Sequence, residues 1–113
     1  MDVQIPTYRV HFPPDYDERG EWEVERKGWL RGVEVELPNG STYPLFFYDP
    51  VRLAQDFEAD LTEGRSVLAE PGLVVIAEVT RSKIVRAVEE LIRDGYFNHM
   101  KPLVRAGLNG TAH

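Results

Sequence analysis

The residues best suited to chemistry lie near the amino terminus. His11 shares one side of an alternating segment with Arg9, and the run that follows supplies Glu21, Glu23 and Glu25 at two-residue intervals. If Glu23 or Glu25 lies across from His11, the pair forms a general base or a pH-sensitive contact. Imidazole titrates near neutrality, and a facing carboxylate orients its ring. The same residues also describe the solvated face of an antiparallel sheet, where opposite charges pair across strands for a fraction of a kcal/mol. That plainer account is preferred.

Other chemistries lack their parts. The histidines His11, His99 and His113 are far apart and form no HxH, HxxxH or HExxH spacing, so no metal site is expected. Neither GxGxxG nor GxxxxGK(S/T) occurs, which leaves no phosphate-cradling loop of those types. Ser41, Ser66 and Ser82 fall in a predicted turn, a strand entry and a helix start, and none sits in a GxSxG elbow. The absence of cysteine removes thiolate nucleophiles, thiolate metal ligands and disulfides together. Asp56 with Asp60, and Glu89 with Glu90, alternate with Arg52, Arg86 and Arg93 at salt-bridge spacing and describe solvated helix faces. No catalytic residue, metal or cofactor is assigned.

Charge supplies a candidate surface instead. The chain carries 13 basic and 19 acidic residues, a net charge of -6. Affinity for a phosphate backbone or an anionic membrane needs clustered Lys and Arg, so neither nucleic acid nor membrane is an expected partner. Residues 15–36 hold eight carboxylates against four cations, which places most of the net charge in one segment. Concentrated negative charge steers basic partners. Asp15, Asp17, Glu18, Glu21, Glu23 and Glu25 are therefore the candidate contacts of a non-catalytic interaction or regulatory protein that binds a basic protein.

Aromatic residues supply the alternative. Trp22, Trp29, Tyr43, Phe46, Phe47 and Tyr48 fall in three neighbouring predicted strands, and Phe46-Phe47-Tyr48 places aromatic rings on both faces of a sheet. One face is core; the other needs a cover. The C-terminal segment with Tyr96, Phe97, Met100 and Leu103 could provide it, as could a second copy in a homodimer, or a ligand. In the ligand case the protein is a small-ligand-binding protein or minor enzyme. Its pocket then lies between the aromatic strands and the C-terminal segment, with Arg9, His11, Trp29, Tyr48 and His99 as candidate lining. An assembly subunit would instead expose an apolar patch around Trp29, Phe46 and Tyr48.

The elements that must position these residues are read from periodicity. Thr7–Phe12 alternates as a half-buried strand ended by Pro13-Pro14, and Glu21–Glu25 alternates as a second. Gly28 and Gly32 mark a bulge or break before Val33, Val35 and Leu37. Asn39-Gly40 supplies the positive φ angles of a tight hairpin turn whose second arm is Thr42–Tyr48. Asp49-Pro50 starts a helix through Leu61, stopped by Gly64. Arg65–Ala69 and Leu73–Val79 flank the turn Glu70-Pro71-Gly72 as a second hairpin, its second arm apolar enough to be central and covered on both faces. Thr80 caps a second helix with Ile84, Val85, Val88, Leu91 and Ile92 in one stripe, ended by Gly95.

The fold class predicted is α+β: a mainly antiparallel sheet of about five or six strands with two helices packed on one face. Leu53, Phe57, Leu61, Ile84, Val88 and Leu91 are expected to meet Val33, Val35, Val75 and Ala77. Residues 1–108 are expected to form one domain and 109–113 a disordered tail. With no leader-like segment, no apolar run near 20 residues and no cysteine, the expected location is cytoplasmic.

Overall fold

The computed structural model describes residues 8–103. The element order is β1 (Arg9–His11), α1 (Glu18–Lys27), β2 (Trp29–Glu36), β3 (Thr42–Tyr48), α2 (Pro50–Thr62), β4 (Leu73–Val75) and α3 (Arg81–Arg93), then a 3-10 turn at Tyr96–His99. The strands form one sheet in the order β1-β2-β3-β4. The α+β class is as predicted. Among the described residues, however, there are four strands and three α-helices, and one strand pair, β3 with β4, is parallel. The tail expected at 109–113 lies outside the described residues.

The β2–β3 hairpin forms where Asn39-Gly40 predicts it. Leu37 N–H donates to Ser41 O and Gly40 N–H to Leu37 O, both at 2.9 Å. Only Gly40 takes a positive φ, so this is the longer hairpin connection closed by a glycine bulge, not a two-residue turn. The break expected at Gly32 is a register shift between Leu30 and Val33. It lets Leu30, Val33 and Val35 all point to one side, where they meet Leu45 and Phe47 of β3 and Ile84 and Val88 of α3. Phe47 is fully buried, a contribution of about 2 kcal/mol.

The predicted strand Glu21–Glu25 is instead part of α1. Its local signals are helical: the Asp17 carboxylate accepts from Gly20 N–H at 2.8 Å, Glu18 and Glu21 sit in the first turn, and Arg26 and Lys27 sit in the last. Gly28 closes the helix in the left-handed conformation, donating to Val24 O. Two apolar residues two apart cannot define a period, and here they diverge: Val24 is buried while Trp22 is 59% exposed.

The predicted second hairpin is also replaced. Glu70-Pro71-Gly72 is a turn, with Leu73 N–H donating to Glu70 O at 3.1 Å, but 65–69 form no strand. The chain leaves β3 through α2, which carries it back to the starting end, so β4 runs parallel to β3. Far from being central, β4 lies at the sheet's edge, with Val75 46% exposed. The helix caps at Asp49-Pro50 and Thr80 stand as predicted, with Asp49 accepting from Arg52 N–H at 2.7 Å and Thr80 from Lys83 N–H at 3.3 Å.

The two predicted helices do not share a face. α3 and α1 cover the Phe47 side, whereas α2 reaches Tyr48, which points to the opposite side. Leu53, Phe57 and Leu61 therefore do not meet Val33 and Val35. The C-terminal segment closes the α3 side: Phe97 packs on Tyr43 at 5.1 Å between ring centres, and Leu103 N–H donates to Thr42 O. Its described residues do not cover the second aromatic face.

Gly72 has φ +84°, and its carbonyl accepts from Phe46 N–H at 2.8 Å; a Cβ there would press into the Pro44 carbonyl oxygen. Gly64 has φ +94° with open space around it. Gly72→Ala is expected to lower stability by at least ~2 kcal/mol and Gly64→Ala by only ~1 kcal/mol, measured by denaturant unfolding. Equal losses would contradict the close approach at Gly72.

Candidate interaction surfaces

The acidic segment is divided between the two sides of the sheet. Glu34 and Glu36 lie on β2 opposite His11 and Arg9, while the other carboxylates gather on and before α1. His11 accordingly meets Glu36, with Nε2 2.8 Å from Oε1, and not Glu23 or Glu25, which belong to the helix. On α1 the side chains differ in their engagement. Asp17 is the cap, Glu21 pairs with Arg81 at 3.0 Å, and Glu23 pairs with Arg19 at 3.7 Å one turn away. Asp15, Glu18 and Glu25 make no ion pair or side-chain hydrogen bond among the described residues, and all three are exposed.

Trp22 stands between Glu18, one turn before it, and Glu25, one turn after. Arg26 lies over its ring at 4.7 Å. Arg81 fixes the base of this ridge: it pairs with Glu21, donates to Tyr16 O at 3.2 Å, and stacks on Phe12 at 4.3 Å and Tyr16 at 5.0 Å. One side chain on α3 thus ties the loop before α1, and α1 itself, to the core.

The opposite side of the sheet holds the second aromatic cluster. Trp29 meets Phe46 edge-on at 6.2 Å, and Phe46 lies 4.7 Å from Tyr48. Phe46 and Tyr48 are buried within the chain, so the exposed apolar patch expected around Trp29, Phe46 and Tyr48 is absent. The cover is polar. Arg31 lies over the Phe46 ring at 3.9 Å and grips Glu70 with both arms, one at 2.9 Å. Tyr48 donates its hydroxyl proton to Asp56, whose other oxygen accepts from Arg52 Nε at 2.9 Å. Asp56 is therefore half-buried and engaged, not part of a solvated helix face. A cleft of about 370 Å³ lies between these groups, lined also by Arg65 and Leu68.

Of the five candidate pocket residues, only Trp29 and Tyr48 come together, as partners across β2 and β3. Arg9 and His11 share their side of the sheet but sit on the far edge strand, and His99 follows Phe97 in the turn after α3. Arg31, Arg52, Asp56 and Glu70, which meet around Tyr48, are not among the candidate residues. The Arg52–Asp56 spacing suggests the ion pair that forms, but not its burial against Tyr48. Arg31 and Glu70, 39 residues apart, carry no local signal.

A third surface contains Leu53 and Phe57, which the periodicity places in the core. Leu53, Phe57, Val67, Leu68 and Leu73 line a groove of about 480 Å³ between α2, residues 66–68 and β4. α2 has no fully buried residue, whereas α3 buries Ile84 and Val88. Among the described residues no helix is long and apolar enough to cross a membrane, and no three His, Asp or Glu side chains group to hold a metal ion.

The tie between α2 and the sheet can be tested at Asp56. Asp56→Ala leaves the Tyr48 hydroxyl and Arg52 without their acceptor and is expected to cost about 1–3 kcal/mol in denaturant unfolding; no loss would mean that the tie carries nothing. Burial first, and then the hydrogen bond and charge of Asp56, push the Tyr48 phenol up to about 12. Below pH ~10 the phenol keeps its proton folded or unfolded, and the stabilisation is whole. As pH rises through about 12, the unfolded chain ionises freely while the folded one resists, so stability falls across that window. Tyr48→Phe is expected to flatten this alkaline loss in melts recorded against pH. Tyr16→Phe should be neutral or mildly stabilising at pH 7, because the buried Tyr16 hydroxyl has no partner among the described residues. An unchanged alkaline slope in Tyr48→Phe would contradict the assignment. Compared with known proteins, the chain matches no family model, no curated protein and no solved structure.

Proposed function

We propose that this protein is a non-catalytic binding module that offers α1 as an acidic ridge to a basic protein surface. The observation that carries it is Trp22, 59% exposed on α1 and bracketed by the carboxylates of Glu18 and Glu25, unpaired among the described residues, with Asp15 before the helix. A large exposed aromatic ring flanked by charge is the composition of an interface anchor. Its burial supplies affinity, and the carboxylates set orientation and association rate. Arg26 holds the ring from one side, which reduces the ordering needed on binding. The net charge of -6 adds a long-range attraction for a cationic partner.

The small-ligand alternative has less support. Arg31 and Glu70, and Arg52 and Asp56, are engaged with one another across the Tyr48 cleft, which gives them a role in holding α2 and residues 65–72 to the sheet.

A Lys- and Arg-rich peptide of defined sequence, titrated into isotope-labelled protein and followed by NMR, tests the proposal. Shifts are expected to concentrate at Asp15, Glu18, Trp22 and Glu25, with affinity falling about tenfold from low to physiological salt. The double reversal Glu18→Lys, Glu25→Lys should weaken binding by a similar factor while leaving the spectrum of α3 in place. Shifts spread equally over Glu58, Glu63, Glu89 and Glu90, or binding untouched by the double reversal, would overturn it.

A further inference from the structure

We propose that the outer edge of β4 and the apolar side of α2 form the contact between two copies of this chain. α2 aligns Val51, Leu53, Ala54, Phe57 and Leu61 at helical spacing, yet none of its residues is fully buried. A surface helix ordinarily spends such a stripe on the core. Seven large apolar side chains are exposed among the described residues, and five of them, Val51, Phe57, Leu61, Val67 and Val75, belong to α2, the segment after it and β4. Single exposed apolar residues are ordinary, but Phe57 and Val67 of this group line a groove of about 480 Å³ with Leu53, Leu68 and Leu73, a surface made to be covered.

The neighbouring strand edge points to what covers it. Among the described strands β4 pairs only with β3; on its other edge the Leu73 N–H is taken by Glu70 O, which leaves the edge around Val75 to accept a strand. Register places Leu73 beside Phe46 and Val75 beside Tyr48, on the α2 side of the sheet, while Val74 packs toward the core. β4 is thus itself a strand whose apolar side chains face the side on which the groove lies. Two β4 strands related by a two-fold axis pair antiparallel and bring each copy's Leu73 and Val75 to the side of the other copy's groove. One patch then contains both halves of the contact.

Charge permits the same approach. Two chains of net charge -6 repel over most of their surfaces, but residues 71–77, Pro-Gly-Leu-Val-Val-Ile-Ala, carry no charge. The edge also lacks the lysine that commonly blunts an exposed strand. A three-residue ladder falls well short of the roughly 800 Å² per partner of a standard interface, so the groove has to be filled as well. The contact joins two four-stranded sheets into one of eight.

The cysteine-free chain allows a direct test. Light scattering across a concentration series is expected to give twice the 12.9 kDa chain mass at the upper end. Under mild oxidation Val75→Cys should cross-link to a covalent dimer, and Trp22→Cys, on α1, should not. Val67→Asp, at a position 52% exposed, should raise the dimer dissociation constant at least about thirty-fold with an unchanged circular dichroism spectrum. A monomeric mass at every concentration with no Val75→Cys cross-link overturns the proposal and leaves the groove to a different protein. So does a dimer that Val67→Asp leaves intact, or one that cross-links through Trp22→Cys and not Val75→Cys.

Discussion

β3 is buried on both of its faces, and the rest of the molecule follows from that. Tyr43, Leu45 and Phe47 point to one side, Phe46 and Tyr48 to the other, and all five are buried. A sheet with apolar side chains on both surfaces needs two covers. The first is thick and apolar: α3 and α1, with Val79 and Phe97, close over Phe47. The second is thin and polar. Arg31 lies flat on Phe46, and α2 is fastened through Tyr48, Asp56 and Arg52, with Glu70 pinning the segment that leads to β4.

That asymmetry explains the distribution of exposed apolar surface. α2 is tied at the Tyr48 side by hydrogen bonds and an ion pair, and its Leu53, Ala54 and Phe57 face residues 66–68 and Leu73 of β4 across an open groove, not the core. Partly exposed ion pairs hold geometry at modest energy, a few tenths to about 1 kcal/mol each. α2 is therefore positioned by its ties more than by burial, whereas α3 is positioned by Ile84 and Val88 in the core.

The parts of the fold legible in the sequence are those specified by neighbouring residues. Asp49-Pro50, Thr80, Asn39-Gly40 and Pro71-Gly72 each act through a backbone hydrogen bond or dihedral angle within a few positions, and each marks the cap or turn it predicts. α1 departs from the expected strand because Trp22 and Val24 imitate strand alternation while Asp17 and Gly28 cap a helix. The parallel partner of β3 and the side chosen by α2 were out of reach. Both depend on contacts such as Tyr48 with Asp56 and Arg31 with Glu70, which no local pattern encodes. For the candidate surface, the acidic segment was visible as composition. Which of its carboxylates stay unpaired became legible only once Glu21 met Arg81, 60 residues away.

Amide hydrogen exchange of the native protein at two concentrations tests most directly whether α2 is a lightly attached cover that association completes. The account predicts that in dilute solution the amides of α2 and β4 exchange well before those of α3 and β2, and that raising the concentration slows the first group alone. Protection of α2 equal to that of α3 in dilute solution, unchanged on concentration, would contradict it.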